Sequence, residues 1–251
     1  MAYGENTLEK GAKGPEVVEL QMRLAGFAGT TPDGDFGPGT QGQVRQFQSD
    51  WMKETAPSGI ADAAVFDAIE ALGRAHSFDL EAFRCGCGTC SGFGQGRFKG
   101  QYRDGKPQQE RFHMYEYPGI HRMLLWAYRA ARFYAKERMG RELIINSGYR
   151  CEVNNQQKGR RSTNHMGKAI DIDIPGHANQ TENRQLADDL RALLADTAKA
   201  QVGWGSSNRK ALEPASIAPT WCHYDVRSYD SKYLDDKYFV KTAAELDAAP
   251  A

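Results

Sequence analysis

The sequence predicts an α+β protein in which a small helical unit precedes a larger half of mixed helices and strands. Two observations support this class. Apolar residues recur at helical spacing in three short segments before residue 73, whereas helical and strand-like patterns follow in mixed order after it. At 251 residues, the chain has room for two modest domains. We predict one domain over residues 1–73, a second over 74–235 and a tail over 236–251.

Three segments of the first domain carry helical periodicity. The first begins near Pro15, where proline is favoured, and the turn-rich stretch TTPDGDFGPGT separates it from the second. The third ends before Gly73 and the polar stretch GRAHS, which we interpret as a linker. The apolar residues that give this spacing are Val17, Leu20, Leu24, Phe27, Val44, Phe47, Trp51, Ile60, Val65, Ile69 and Leu72.

Helices and strands follow one another irregularly in the second domain. A long helix is predicted over 118–139, between Pro118 and Gly140. The segment KAIDIDI alternates aspartates with isoleucines, so a strand there places its carboxylates on one face. RELIINS and TWCHYDVRS predict two further strands, and TENRQLADDLRALLADTAKA predicts an amphipathic helix. The tail after about residue 235 predicts a surface helix or a loose end.

Charge and hydropathy exclude two kinds of partner. Lysine plus arginine and aspartate plus glutamate both number 32, so the formal net charge is zero. A neutral chain lacks the broad positive field that non-specific nucleic-acid binding needs. No apolar run reaches the ~18–20 residues of a membrane span, and the N-terminus lacks the pattern of a signal peptide. We therefore expect a monomer made in the cytoplasm without a signal peptide, with no nucleic-acid partner and no membrane span.

Several polar residues of the second half are of the types that bind metal ions. His165, Asp171, Asp173 and His223 lie on predicted strands or at their ends. A catalytic zinc ion needs three protein ligands and one open position, and two histidines with one carboxylate meet that need. Asp225 alternates with His223 and so faces the same side of its strand.

The first domain contains GAKGPEVVELQMRLAGF, then DGDFGPGT, VRQFQ and SGIADAAVFDAI. These motifs resemble the three-helix peptidoglycan-binding domain of many cell-wall hydrolases, over about residues 8–72. The resemblance implies peptidoglycan as a partner, with contacts expected near Asp33, Asp35 and Thr40. The matching residues are Gly11, Gly14, Val17, Leu20, Gln21, Leu24, Asp33, Gly34, Phe36, Gly37, Thr40, Val44, Phe47 and Gln48.

The second domain contains INSGYRCEVNN, STNHMGKAIDID and WCHYDV. These motifs resemble the family of zinc D-Ala-D-Ala carboxypeptidases and L-alanyl-D-glutamate endopeptidases, which shares its fold with the hedgehog domain. The resemblance covers roughly residues 78–230. It implies a small antiparallel sheet, a Zn²⁺ cofactor and hydrolysis of the peptide stems of peptidoglycan. It assigns zinc binding to His165, Asp171 and His223.

The SGYR motif supplies the expected substrate contacts. By resemblance, Arg150 holds a substrate carboxylate or stabilises the oxyanion, a role that suits a bidentate guanidinium. Ser147 and Tyr149 are expected to line the same pocket. For Tyr149, packing in the interior is an equally good interpretation.

The sequence departs from the family pattern in two places. His165 lies six residues before Asp171, one fewer than the family pattern, so Asp173 remains a competing ligand. No acid lies in the few residues before the last zinc ligand, where many relatives place the general base. Asp225 and Glu213 are the remaining candidates for that base. Asp225 could instead orient the histidine ligand beside it.

Three of the five cysteines lie within six residues. Cys85, Cys87 and Cys90 form C-x-C-x-x-C, which supplies three of the four ligands of a structural zinc site. Cys151 or His113 could be the fourth. The alternatives are a disulfide, such as one to Cys151, and a tight glycine-rich loop in which the thiols simply pack.

The two resemblances together predict a modular cell-wall hydrolase whose first domain tethers a zinc metallopeptidase to its insoluble substrate. The expected absence of a signal peptide fits a bacteriolytic phage endolysin that reaches the cell wall in the periplasm after release. It also fits an injected antibacterial effector. Two other functions stay open: a non-catalytic wall-binding or virion structural protein, and a D-Ala-D-Ala carboxypeptidase of wall remodelling. The sequence leaves the choice between endopeptidase and carboxypeptidase open.

Overall fold

The computed structural model describes residues 3–29, 31–97, 114–160, 162–203 and 209–248. Its helices and strands confirm the predicted α+β class. Among the described residues, no helix combines the length and the apolar character needed to span a bilayer. In chain order, the helices and strands are α1 (Pro15–Arg23), α2 (Pro38–Asp50), α3 (Ala63–Ala75), β1 (Ile120–His121), α4 (Arg122–Tyr134), β2 (Ile144–Ser147), α5 (Glu152–Gln157), β3 (Ala169–Asp173), α6 (Gln180–Thr197), β4 (Cys222–Asp225), β5 (Phe239–Val240) and α7 (Ala243–Asp247).

A buried glutamine of α1 holds the turn between α1 and α2. The amide nitrogen of Gln21 donates to Asp33 Oδ1 at 2.8 Å and to Thr40 Oγ1 at 2.9 Å. Its amide oxygen accepts from the backbone N–H of Gly34 at 3.0 Å. Because these partners lie in the turn-rich stretch of the sequence, Gln21 fixes the loop that is predicted to contact peptidoglycan.

The predicted linker at Gly73 is helical, because α3 continues to Ala75. A Cβ atom at Gly73 would lie 3.1 Å from Arg129 Nη1 and 3.3 Å from the Trp126 ring. Glycine therefore permits the close approach of α3 to α4 instead of ending the helix. A glycine at a helix crossing and a glycine at a helix end look alike in sequence, which explains why α3 ends later than the sequence predicts.

Helix α4 lies at the centre of the molecule and packs against α1, α3 and α6. All of its residues except Arg132 are buried. The sequence predicts a helix over 118–139, but the segment first forms the short strand β1 and becomes helical only at Arg122. The last turn, Ala135–Met139, widens into a π-helix that ends at Gly140 with φ 63°.

The central sheet is antiparallel, with the strand order β2–β3–β4. Its register places Ser147 opposite Asp171, and Asp171 opposite His223. Side chains opposite one another share a face, so these three form one row across the sheet. Ile170 and Ile172 point to the other face and are fully buried. The alternation in KAIDIDI therefore separates carboxylates and isoleucines onto the two faces of β3, as the sequence predicts.

The described part of the predicted tail is packed against the rest of the chain. Strand β5 pairs with β1, and Leu246 of α7 is fully buried. Arg122 donates to the carbonyl oxygens of Leu246 and Ala248 at 2.9 and 2.8 Å. Arg129 forms a 2.6 Å ion pair with Asp247. Most of these contacts use backbone groups and two-residue strands, which residue patterns do not predict. Of the two expectations for the tail, the helix agrees with α7, and the loose end does not agree with residues 236–248.

Buried charges join the first domain to the second. Glu19 of α1 accepts hydrogen bonds from Arg122 at 2.6 and 2.7 Å and from Arg23 at 2.6 Å. Arg23 also contacts Glu70 of α3. The Glu19, Arg23 and Arg122 side chains are almost wholly excluded from solvent. The hydrophobic core is continuous across this junction, so the two predicted domains pack as neighbours.

The N-cap residue of α4 is His121, and its titration is expected to make the stability of the protein depend on pH. His121 is fully buried, its Nε2 donates to the Tyr233 carbonyl oxygen at 2.8 Å, and burial lowers its pKa to about 4. An unfolded histidine titrates near pH 6.5, so stability present above that pH is lost as the pH falls toward 4. We expect a loss on the order of 3 kcal/mol across this window. Urea unfolding of the His121→Asn variant should show a flatter dependence over the same window, and parallel curves for the two proteins would contradict this account.

Candidate metal centre

Three side chains converge above the central sheet. His165, Asp171 and His223 each offer one ligand atom, and these atoms all lie within 4.8 Å of one another. Asp171 and His223 face each other across β3 and β4, and His165 comes from the turn before β3. All three residues are buried. The sequence prediction of these three residues as one group therefore agrees with their positions.

The hydrogen bonds of His165 leave one ring nitrogen available. Nδ1 lies 2.7 Å from the carbonyl oxygen of Gly148, which can only accept, so Nδ1 carries the proton. Nε2 has no hydrogen-bond partner among the described residues and lies 3.2 Å from Asp171 Oδ1. Burial lowers the pKa of His165. A neutral imidazole with a free, buried Nε2 lone pair is suited to bind a metal ion.

The shorter spacing between His165 and Asp171 does not remove His165 from the group. The backbone N–H of Arg150 donates to the carbonyl oxygen of His165 at 2.7 Å, which fixes the turn against the SGYR segment. Asp173, the competing ligand, lies outside the group. It is the last residue of β3, and its carboxylate accepts from the N–H of the next residue, Ile174, at 2.7 Å.

His223 lies between two carboxylates. Its Nδ1 is 2.7 Å from Asp171 Oδ1, and its Nε2 is 3.0 Å from Asp225 Oδ2. Burial opposes protonation of this ring, but the two carboxylates raise the pKa of His223 to about 9. Burial also opposes ionisation of Asp171, yet His165 and His223 hold the pKa of Asp171 well below its usual range. With Nε2 bonded to Asp225, Nδ1 is the nitrogen that faces the other two ligand atoms.

The two candidate bases differ in their surroundings. Asp225 is fully buried, and Arg227 contacts it through Nε at 2.7 Å and through its backbone N–H at 3.1 Å. Glu213 follows a bridge between Leu212 and β4, and its side chain retains 11% exposure. Glu213 Oε1 lies 3.8 Å from His223 Nε2 and 3.4 Å from Arg227 Nη1. Asp225 is thus fully buried and held by three neighbouring groups, whereas Glu213 makes longer contacts and is slightly more exposed.

A cleft of about 600 Å³ opens beside Asp171. Ser147, Tyr149 and Arg150, the three residues expected to contact substrate, all line it. Burial lowers the pKa of Arg150, and the nearby Asp171 and Glu213 oppose that effect. Arg150 Nε has no hydrogen-bond partner within the described part of the chain. The cationic residues that line the cleft, which sequence patterns did not connect, are Arg84, Arg150, Lys158 and Arg160.

Tyr149 fills the interior. Its side chain is 2% exposed, and its hydroxyl donates to the Tyr117 carbonyl oxygen at 2.8 Å. Its ring meets Phe93 edge to face. Tyr149 nevertheless belongs to the lining of the cleft, so its interior packing and the predicted place in the pocket occur together.

The donor set fits a zinc ion. Two imidazole nitrogens and one carboxylate oxygen are the ligands of many catalytic zinc sites. Zinc-binding histidines also donate their second N–H to a carbonyl or carboxylate, as His165 does to Gly148 and His223 can to Asp225. The strongest support for a metal ion is the buried Nε2 of His165, which has no hydrogen-bond partner among the described residues. Burying a polar atom without a partner is costly, and a bound ion would remove that cost.

Comparisons with known proteins agree with this division of the chain. Residues 13–69 match the family model of a peptidoglycan binding domain, and residues 124–199 match the model of peptidase M15. The second match contains His165 and Asp171 and ends before His223. These matches confirm the predicted modular resemblance: the chain joins a segment of the peptidoglycan-binding type to a segment of the M15 peptidase type.

Two individual proteins are similar to parts of the chain. The zinc D-Ala-D-Ala carboxypeptidase of Streptomyces albus G is 43% identical over 70 residues, which is 26% of this chain and 27% of that protein. The chain therefore spans about a quarter of the length of this curated relative. The crystal structure of the SleB N-terminal domain is 33% identical and matches with a TM-score of 0.26, over 28% of this chain and 96% of that one.

Proposed function

We propose that the chain is a zinc-dependent peptidase that cuts the peptide stems or cross-links of peptidoglycan. The observation that carries this proposal is the convergence of His165 Nε2, Asp171 Oδ1 and His223 Nδ1 beside a basic cleft. The M15 match over residues 124–199 supports a peptidase. The name of the Streptomyces relative supports zinc as its ion.

Zinc at this centre would supply a Lewis acid and a water of lowered pKa. The chain's own residues would do the rest. Arg150 would bind a carboxylate of the stem peptide or the developing oxyanion, because its guanidinium can make paired hydrogen bonds. Ser147 lies in the same wall of the cleft. The four cations of the cleft favour an anionic substrate, and peptidoglycan stems are rich in carboxylates.

We assign the general base to Glu213 and the orienting role to Asp225. A base must accept a proton from water, so it needs an accessible oxygen. Glu213 retains exposure, while Asp225 is fully buried and engaged by His223 and Arg227. A carboxylate bonded to the second nitrogen of a metal-binding histidine fixes the direction of that ring.

The first domain would tether the peptidase to the wall. The family match over residues 13–69 supports peptidoglycan as the partner. Asp33 and Asp35 line a cleft of about 470 Å³. Lys237 and Tyr238, from the C-terminal segment, also line it. Thr40 is buried and bonded to Gln21, so among the three predicted contacts it has a structural role.

We propose further that the biological role is bacteriolysis, as a phage endolysin that acts on the wall after release from the cytoplasm. The pairing of a wall-binding segment with a peptidase supports this role. A D-Ala-D-Ala carboxypeptidase of wall remodelling is the second candidate, because the Streptomyces relative carries that name. The products distinguish the two: a carboxypeptidase releases single D-Ala, whereas an endopeptidase divides stems or cross-links.

Mass spectrometry of purified Gram-negative peptidoglycan, incubated with the full chain, tests the proposal. We expect new peptide products that disappear with a chelator and return when zinc is added. The His165→Ala variant should give none. His177→Ala, which alters an exposed histidine outside the group, should match the unmodified protein.

An undigested sacculus that still binds the protein would overturn the peptidase and leave the wall-binding domain standing. In that case the second half would have a binding or structural role. Products that persist in chelator and with His165→Ala would contradict the metal centre itself.

A further inference from the structure

A second cluster of potential ligands lies outside the candidate metal centre. The Sγ atoms of Cys85, Cys87, Cys90 and Cys151 all lie within 4.8 Å of one another. The first three belong to the glycine-rich loop after the 3₁₀ turn at Leu80–Phe83, and the fourth caps α5. The loop and the cap are 61 residues apart in sequence at their nearest, so the fold brings the fourth thiol to the other three. His113, the other possible fourth ligand, lies outside the described residues.

Backbone N–H groups surround these sulfur atoms. Cys87 Sγ accepts from the N–H groups of Thr89 and Cys90, both at 3.3 Å. Cys90 Sγ accepts from Gly92 at 3.3 Å. The other two sulfurs accept in the same way, Cys85 from Cys151 N and Cys151 from Asn154 N, both at 3.4 Å. Each of the four sulfurs therefore lies beside at least one backbone N–H group, and such outer hydrogen bonds orient the ligands of a metal ion.

The turn that carries Cys87 and Cys90 has a backbone conformation that places N–H groups beside the sulfur atoms. Gly88 has φ 72°, a conformation that side chains of L-residues resist, and a Cβ there would meet no atom within 4 Å. Backbone geometry, and not crowding, therefore requires glycine at this position. The resulting turn aims two successive N–H groups at one sulfur and brings the two thiols of the C-x-x-C segment to the same side.

A disulfide explains the cluster less well than an ion does. All five cysteines are free thiols in this structure. A disulfide joins two sulfurs at about 2.05 Å and would leave the other two thiols of the cluster without a role. A tetrahedral zinc ion with Zn–S distances of about 2.3 Å separates its four sulfurs by roughly 3.8 Å, which agrees with the mutual proximity of all four.

We propose that Cys85, Cys87, Cys90 and Cys151 bind a second, structural zinc ion. Four protein ligands close the coordination sphere, so this ion has no open position for a substrate. It joins the loop after Leu80–Phe83 to the segment that follows Arg150. The residues just before these two segments already meet, because the N–H of Tyr149 donates to the carbonyl oxygen of Phe83 at 2.6 Å.

The position of the cluster gives the ion a function. Arg84 and Gly86, which flank Cys85, line the same cleft as Arg150, which directly precedes Cys151. The ion would therefore hold one wall of the substrate cleft in place. Its binding is independent of hydrolysis, so the proposal stands or falls separately from the proposed peptidase.

The zinc content of the full chain, measured by elemental mass spectrometry, tests the proposal. We expect two zinc ions per chain in the unmodified protein and one in the Cys87→Ser, Cys90→Ser double variant. Cys222→Ser, which alters the buried cysteine outside the cluster, should keep two. His165→Ala with His223→Ala should keep one, and that ion should be the cysteine-bound one.

Cobalt substitution gives a readout that needs no stable cysteine variant. Cobalt in the unmodified protein should show a strong thiolate-to-cobalt charge-transfer band. The His165→Ala, His223→Ala variant should retain that band in full, because its cysteines are intact. A protein that binds one zinc while all the clustered thiols react with a thiol reagent in the folded state would overturn the proposal. So would an intact mass lowered by two hydrogens, which indicates a disulfide.

Discussion

Replacement of Glu213 by glutamine is expected to lower kcat for stem-peptide hydrolysis about 10²–10⁴-fold, the usual contribution of a general base. The amide keeps the size of the side chain and removes its ability to accept a proton. Zinc content should not change, because Glu213 lies outside the three ligands. The measurement is kcat on a soluble stem peptide, with zinc quantified in the same preparation.

Asp225→Asn is the matched control for Glu213. It weakens the hydrogen bond that orients His223, so zinc affinity should fall about 10–100-fold, as when other partners of metal-binding residues are removed. At saturating zinc, most of the activity should return. If Asp225→Asn is inactive when fully loaded while Glu213→Gln remains active, the two assignments are reversed.

Replacement of Glu19 by alanine is expected to destabilise the protein by about 3–5 kcal/mol. Glu19 is the shared anionic partner of Arg23 and Arg122, and all three are buried. Its removal leaves two buried guanidinium groups without that partner between the first domain and α4. Urea unfolding of the full chain measures the change as a lower transition midpoint.

Glu16→Ala provides the comparison on the same helix. Within the described residues, the Glu16 carboxylate accepts from the exposed side chain of Asn6, so its removal should cost less than about 1 kcal/mol. Equal, small effects of both substitutions would show that the buried charge cluster does not join the domains. An unchanged midpoint of the first unfolding transition in the Glu19→Ala variant would lead to the same conclusion.

Local patterns were sufficient to predict much of the candidate site. The alternation in KAIDIDI defines the face of β3 that carries Asp171, and the same period places His223 on β4. His165 follows from its motif, although one residue is missing from the loop. These features depend on neighbours in sequence, which is why sequence reasoning finds them.

The remaining features depend on contacts between distant segments. Glu213 reaches the site because Leu212 bridges to Tyr224 and extends the sheet beyond its regular strands. Cys151 meets Cys85 across 66 residues. The basic cleft brings together Arg84, Arg150 and the pair Lys158 and Arg160, which belong to three separate segments of the sequence. Neither the periodicity of apolar residues nor the spacing of motifs shows that such distant segments come into contact.

One zinc ion bound by His165, Asp171 and His223 beside the cleft is the feature on which the proposed function depends. Anomalous X-ray scattering at the zinc absorption edge, from crystals of the full chain, locates that ion directly. The account predicts a peak bonded to His165 Nε2, Asp171 Oδ1 and His223 Nδ1. A zinc-loaded protein with no peak there, or with a peak bonded to Asp173 instead, would contradict it.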